Sequence, residues 1–285
     1  MKKTTLAMML VLLVAVGWMQ FQSRSSVGKL RQSVGLTFKP PQSMLSDDTV
    51  RIAAGEFNGI MADYMLLEVG SFLGSGVEAS KEDYQNVYRA LKQSLALDPY
   101  FQQTYLIIQG MLPWKAHMVD QAIELIDISR KHRPWDWRPG HYMGFDYCYF
   151  KNNFAKASEV LLDAAKIKGA PVLLAVLGAR FAVRGQRTGA AILMLRRMLK
   201  DEKLPEPDRL DLEQRLAALN GVFSLEQAIE KYKSQTSNYP ANLEALVQKG
   251  IIGAVPKNPY GVNYYYDPKT GLVTFDDIKT ITDSN

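Results

Sequence analysis

The chain of 285 residues is poor in the residue types that covalent cross-links and metal sites need. It has one cysteine, Cys148, so no disulfide can form within the chain and packing must provide the stability. Cys148 stands among aromatic residues in "FDYCYF" with no basic residue beside it, which predicts a buried, inert thiol. There are three histidines and neither an HExxH motif nor a pair of CxxC motifs, so the sequence predicts no metal site.

Motifs for catalysis and for phosphate or calcium binding are missing as well. The glycines of "GSG" at residues 74–76 precede no Lys-Ser/Thr pair, which indicates that they end a helix and do not form a phosphate-binding loop. Asp267, Asp276 and Asp277 lack the alternating acids of a calcium-binding loop. With no nucleophile beside a general base, the sequence predicts no catalytic residue, no cofactor and no small-molecule substrate. An envelope enzyme or a regulatory subunit with an unfamiliar kind of site is the alternative.

The first feature that the sequence does have is an apolar N-terminal segment. "MKKTTLAMMLVLLVAVGWMQFQSRSS" places two lysines before an apolar stretch at residues 6–19, as in a secretory signal sequence. A membrane span needs ~20 apolar residues, and residues 4–21 come close to that length. We therefore predict an uncleaved, single-pass signal anchor of the inner membrane at residues 1–22, with cleavage at Ala15-Val16-Gly17 as the alternative. Both place the remainder of the chain in the periplasm.

The positive net charge belongs largely to this segment. The formal net charge of +5 falls to +2 without residues 1–26, because they hold three of the basic groups and none of the acidic ones. The basic balance is therefore a signal of membrane orientation. We predict no nucleic-acid partner, because no recognition motif accompanies the charge.

The middle of the chain has the spacing of amphipathic helices. Residues 23–50 are polar and include a Pro-Pro pair, which predicts a linker, with a helix start at Ser46. In residues 51–221 apolar positions recur at helical spacing; for example, Val87, Leu91 and Leu95 share one face. No strand-like stretch alternates with these helices, so we predict a mainly α fold.

Prolines and small residues recur at regular intervals in residues 55–205. Pro99, Pro134, Pro171 and Pro205 are spaced by 35, 37 and 34 residues, and each follows a helical stretch. This pattern resembles the tetratricopeptide repeat (TPR), a helix–turn–helix of about 34 residues. The resemblance implies an α-solenoid of antiparallel helix pairs. Within each interval a glycine precedes an alanine where paired helices would approach closely: Gly110 and Ala122, Gly144 and Ala157, and Gly178 and Ala190.

The resemblance also implies a concave groove lined by the first helix of each repeat. A protein partner would bind there, because aromatic residues and arginine often anchor interfaces. A role of the same aromatic residues in the core is the alternative. The groove positions, carried onto this sequence, are Thr104, Ile107, Arg138, His141, Phe145 and Tyr149.

A basic stretch occupies the fourth repeat, where no acidic residue occurs between Gly178 and Lys200. We predict a solvated helix face, since cations near a helix C-terminus interact favourably with the helix dipole. A surface for a protein partner or for anionic lipid is the alternative. The residues are Arg180, Arg184, Arg187, Arg196, Arg197 and Lys200.

Residues 222–285 form a C-terminal unit of a different kind. The pattern predicts a helix from Ser224, a short helix that ends at Gly250, and two strands around a turn with Gly271. The order resembles the C-terminal portion of type II secretion pseudopilins, but the processing glycine and the glutamate of their N-terminal segment are absent. We therefore predict a small α+β hairpin unit that either caps the solenoid or docks a partner. Matching residues include Tyr239, Pro240, Leu243, Leu246, Asn258, Pro259, Tyr260, Gly261, Tyr264, Tyr266 and Gly271.

Together these features predict a non-catalytic protein–protein interaction or scaffold protein of the bacterial cell envelope. It would be tethered to the inner membrane through its N-terminal helix and would assist a secretion, pilus or export assembly. Its predicted partners are proteins, with secretion or pilus components foremost.

Overall fold

The computed structural model describes residues 11–23, 26 and 45–275, and the chain is mainly helical, as predicted. The chain divides into two compact units, Met1–Pro99 and Tyr100–Asn285. The predicted repeat domain, residues 51–221, therefore contributes to both units.

The first unit contains α1 (residues 11–23), α2 (Asp47–Ala54), a 3-10 turn (Gly55–Phe57), α3 (Asn58–Gly74) and α4 (Lys81–Leu97). Among the described residues no helix is both long and apolar enough to cross a membrane, and residues 1–10 of the predicted signal anchor lie outside them. The helix start predicted at Ser46 is confirmed. Its side chain caps α2 by accepting a hydrogen bond from the backbone N–H of Thr49.

The helices α3 and α4 pack against each other. Ser80 caps α4 and exchanges hydrogen bonds with Asp83 in a capping box. Val87, Leu91 and Leu95 are buried, as their spacing predicted. Oγ of Ser94 on α4 donates a hydrogen bond to a backbone carbonyl of α3 at 3.2 Å, so the two helices approach closely.

Seven helices begin the second unit, and each packs against the next along the chain. The last three first-of-pair helices begin 34 residues apart, at Arg138, Val172 and Glu206. This arrangement is compatible with an α-solenoid. The helices are α5 (Gln102–Met111), α6 (Val119–His132), α7 (Arg138–Tyr149), α8 (Phe154–Ala164), α9 (Val172–Arg184), α10 (Thr188–Met198) and α11 (Glu206–Thr236).

Two of the predicted glycines stand where helices approach closely. A Cβ on Gly144 or Gly178 would lie 2.5 or 2.8 Å from leucine side chains of α8. The same prediction is wrong for Gly110, because a Cβ there would meet nothing within 4 Å. The close-packed alanine predicted at position 190 lies one residue later in the structure. Ala190 is exposed, whereas Ala191 is fully buried.

The prediction that a helix begins at Ser224 is wrong, because α11 runs without a break from Glu206 to Thr236. Gly221 lies three residues before this predicted start. In the structure Gly221 makes room for Tyr264, since a Cβ on Gly221 would lie 1.9 Å from the Tyr264 hydroxyl oxygen. A glycine inside a helix costs about 1 kcal/mol relative to alanine, and packing on the flanking turns outweighs this cost. The boundary predicted between residues 221 and 222 thus lies inside one helix.

The tail contains α12 (Glu244–Gln248) and the predicted strand pair, β1 (Tyr265–Tyr266) and β2 (Val273–Thr274), which is antiparallel. Gly250 ends α12 in the left-handed region at a φ of 69°, and Gly271 has a φ of 75°, as predicted. Val273 and Phe275 belong to the same hydrophobic core as buried residues of α8 to α11. The tail is therefore packed onto the last helices of the unit.

Candidate partner-binding site

Four of the six predicted groove residues are buried or engaged by neighbours. Thr104 is fully buried, which removes it from any open groove. Ile107 and His141 are half-buried, and burial lowers the pKa of His141. The Arg138 guanidinium donates a hydrogen bond to Oδ1 of Asp136 at 3.1 Å. Thr104, Ile107 and His141 therefore contribute first to packing within the unit, whereas Arg138 stays 46% exposed while it is bound to Asp136.

The other two, Phe145 and Tyr149, belong to an aromatic cluster that also includes Trp114 and Phe150. The Phe145 and Tyr149 rings stack with centroids 5.3 Å apart. Phe150 stands edge-on to Trp114 and to Tyr149, with centroids 4.9 Å apart in each pair. Trp114, Phe145 and Tyr149 are 45%, 36% and 46% exposed. Large aromatic side chains exposed together are typical of a surface that binds another protein.

The turn after α5 presents Trp114 to the end of α7. Leu112 and Pro113 on its N-terminal side are buried and anchor the turn. The backbone N–H of Met118 donates to the carbonyl of Leu112 at 2.8 Å and closes it. The sequence prediction missed Trp114 because it considered only positions on first helices. A tryptophan directly after a proline, outside the helical apolar spacing, was the available signal.

A buried carboxyl group joins α7 to α5, the helix that leads into the Trp114 turn. Asp146 follows Phe145 on α7 and is fully buried. Nε2 of Gln109 on α5 donates a hydrogen bond to Oδ1 of Asp146 at 2.9 Å. Oδ2 of Asp146 and Oε1 of Gln109 are buried without a hydrogen-bond partner. Burial raises the pKa of Asp146 to about 6, and the Gln109 hydrogen bond offsets this only in part.

The entry to α7 is fixed by Asp136, which is almost fully buried. Its Oδ2 accepts hydrogen bonds from the Tyr105 hydroxyl at 2.7 Å and from Nη2 of Arg133 at 3.1 Å. Its Oδ1 accepts the backbone N–H of Arg138 at 3.1 Å. Burial acts to raise the pKa of Asp136, but these hydrogen bonds outweigh burial and hold the pKa below its usual value. The first turn of α7 is therefore rigidly placed.

The predicted basic surface is partly neutralised in the fold. Nη1 of Arg187 donates to Oε2 of Glu159 at 2.6 Å, so α8 supplies an acid that the basic stretch itself lacks. Nη2 of Arg196 donates to the side chain of Asn220 at 3.3 Å. By exposure, the six residues divide into the half-buried Arg180 and Arg184 on α9 and the exposed Arg187, Arg196, Arg197 and Lys200.

Cys148 is half-buried, so the prediction of a fully buried thiol is wrong, and its surroundings also differ from those predicted. Burial raises its pKa, while Arg184 and Arg180 act in the opposite direction. The expectation that no basic residue lies nearby is wrong, because both arginines come from α9. The effect of burial is the larger, so the thiol stays protonated near neutral pH.

A second feature is a cleft of about 620 Å³ in the tail, lined by Leu243, Lys257 and Tyr264 among others. Its titratable side chains are one acid, Glu244, one base, Lys257, and the hydroxyls of Tyr264 and Tyr266. In the part of the chain that the structure describes, no group of three or more His, Cys, Asp or Glu residues could hold a metal ion.

No family model, no curated protein and no solved structure matches the chain. Its function is therefore inferred from its own geometry.

Proposed function

We propose that the chain is a non-catalytic protein-interaction protein of the bacterial cell envelope, a TPR-like α-solenoid anchored by its N-terminal segment. The aromatic cluster of Trp114, Phe145, Tyr149 and Phe150 carries the proposal, because three of its rings are exposed, one on the turn after α5 and two on α7. Because each of these rings is already more than half buried, covering its remaining surface against a partner contributes roughly 1 kcal/mol. A few such anchors are enough for a specific interface.

The TPR-like architecture is supported by the spacing of the helices. Helices α7, α9 and α11 begin at a constant interval of 34 residues. Small residues lie where α7 and α9 meet α8, as a hairpin repeat requires. A secretion, pilus or export assembly is the proposed setting, on the strength of the tail's resemblance to pseudopilins and the predicted signal anchor.

For the tail we propose the capping role. A Cβ on Gly271 would lie 2.4 Å from the Tyr239 ring, so this ring packs directly on the β-turn. Nζ of Lys233 on α11 donates to the Tyr239 hydroxyl at 2.9 Å. The guanidinium of Arg215, also on α11, lies 4.8 Å from the centroid of the Phe275 ring. Several residues of the pseudopilin-like pattern are thus used in packing the tail onto α11.

Site-specific photo-crosslinking in native membranes tests the interaction surface. A photoreactive phenylalanine analogue replaces Tyr149 in one variant and Leu193 in a control variant. Leu193 is 69% exposed, more than Tyr149, so the control position is at least as accessible to a partner. We expect protein adducts of defined mass from position 149 and only background from position 193. Adding Trp114→Ala should reduce the adducts at least tenfold while the circular dichroism spectrum stays unchanged. Equal labelling at both positions would refute the proposed surface.

Fusion reporters test the proposed location. Alkaline phosphatase fused to the C-terminal end should be active, and the protein should stay in the membrane fraction after a carbonate wash. Release by carbonate with an active fusion would indicate a cleaved signal peptide. An inactive fusion would contradict the periplasmic assignment.

A further inference from the structure

An exposed apolar stripe runs along α3 in the first unit. Its members are Ile60, Tyr64 and Leu67 on the helix and Phe57 at the end of the preceding 3-10 turn, and they follow one another at intervals of three or four residues. They are 68%, 68%, 55% and 69% exposed. At about 100° per residue they occupy roughly a quarter of the helix circumference. The opposite face of α3 is buried in the core of the unit.

This stripe differs from ordinary scattered surface hydrophobics. A helix that faces water normally carries polar side chains on its outer face. The helix α3 instead has apolar residues on both faces, and within the described part of the chain only one face is covered by α2 and α4. A contiguous exposed row of this kind marks an interaction surface.

Acidic side chains border the stripe on both sides. At ~100° per residue, Asp63 lies on one flank and Glu68 on the other. The Tyr64 hydroxyl donates to Oε1 of Glu68 at 2.7 Å, which holds that carboxylate beside the apolar row. Residues 52–80 contain no lysine or arginine. The nearest basic residue on α2, Arg51, donates through Nη2 to a backbone carbonyl of α4 at 2.8 Å.

We propose that the stripe binds an amphipathic helix of a partner protein, one whose apolar residues are flanked by lysine or arginine. Two helices that pack along their apolar stripes bury both, and opposite charges on the flanks fix the pairing. A second copy of this chain would bring the flanking acids of one copy close to those of the other, which disfavours that pairing. An anionic lipid surface would repel Asp63 and Glu68 as well. A basic amphipathic helix is therefore the occupant that fits both the shape and the charge.

Two synthetic peptides test the proposal. Both are of equal length and carry leucines at helical spacing, with lysine flanks in one and glutamate flanks in the other. Binding to the full chain in zwitterionic nanodiscs is measured by fluorescence anisotropy, with empty nanodiscs as the reference. We expect the lysine peptide to bind at least tenfold more tightly than the glutamate peptide. Ile60→Ser combined with Leu67→Ser should abolish its binding, whereas Leu193→Ser, at an exposed apolar residue of the second unit, should not.

Charge reversal gives the sharper test. The double variant Asp63→Lys, Glu68→Lys should prefer the glutamate peptide, because only the flanks have changed. Raising the salt concentration tenfold should weaken binding of the lysine peptide to the unchanged chain, because salt screens the attraction between opposite charges. This measurement requires no variant. Equal affinity for both peptides, or a preference that survives charge reversal, would overturn the proposal. Two other results would also overturn the proposal: dimers of the chain in light scattering, or binding of the chain to anionic vesicles, if either is lost in the Ile60→Ser, Leu67→Ser variant.

Discussion

Replacing Asp146 by asparagine should stabilise the second unit at neutral pH. Asp146 is fully buried, and burial raises its pKa from 3.8 to about 6. Because this pKa is higher in the folded than in the unfolded chain, the folded state holds the proton more tightly. The stability that the group contributes is therefore fully present below about pH 4 and is lost as the pH rises through about 6.

The expected gain follows from the size of the pKa rise. A rise of about two units corresponds to ~3 kcal/mol, at ~1.4 kcal/mol per unit. Asparagine carries no charge and keeps an oxygen that can accept the hydrogen bond from Gln109. Its amide also offers a donor to Oε1 of Gln109, which is buried without a partner. The Asp146→Asn variant should match the unchanged chain near pH 4 and exceed it by up to ~3 kcal/mol above pH 7.

Equilibrium urea unfolding of the full chain in nanodiscs, followed by near-ultraviolet circular dichroism between pH 4 and pH 8, measures this difference. Other titrating groups cancel when the two curves are subtracted. Asp163→Asn on α8 is the matched control, because that side chain is 50% exposed. Its effect should stay below ~0.5 kcal/mol. A difference that does not vary with pH, or an Asp146→Asn variant that is less stable above pH 7, would refute the reasoning.

Three further predictions concern α11 and the tail. Gly221→Ala should destabilise the second unit by about 2 kcal/mol, because the added methyl group clashes with the Tyr264 hydroxyl. Adding Tyr264→Phe to this variant should restore part of the lost melting temperature. If it does not, the clash is not the cause. Thr188→Val removes the donor to Oε1 of Glu226 at 2.7 Å, which should raise the pKa of that half-buried carboxyl further. Urea unfolding should show a loss of about 1–2 kcal/mol that is larger at pH 8 than at pH 5, and a pH-independent loss would contradict this. Deleting residues 238–285 should cause aggregation in light scattering; a soluble, folded truncation would contradict capping.

Features fixed by neighbouring residues were predictable from the sequence. Ser46 begins a helix because its own hydroxyl reaches the next turn, and Gly250 and Gly271 adopt the left-handed conformation that favours glycine. The continuity of α11 through Gly221 could not be predicted in this way. Its local preference to end a helix is weak, and its neighbours Leu219 and Val222 are fully buried in the core. Burial on both sides therefore keeps α11 continuous.

The candidate site could be predicted only in part, for a related reason. Phe145 and Tyr149 were predicted from their positions on the first helix of a proposed repeat. Trp114 comes from a turn, and its contact with these rings exists only because α5 and α7 are neighbours. The pairing of Arg187 with Glu159 likewise depends on how α8 and the turn after α9 meet.

An apolar helix face requires a cover, and the two units meet this requirement differently. In the second unit the chain covers α9 and α11 itself, through Val273 and Phe275 of the tail. On α3 the described residues leave the stripe of Ile60 and Leu67 exposed between two acids. Removing the tail would expose apolar surface that is buried in the folded unit, and this should destabilise it. The stripe on α3 is exposed in the folded unit, so changing the residues beside it should leave the fold intact. Deleting the tail should therefore cost folding, and reversing the charges on α3 should change binding while folding is kept.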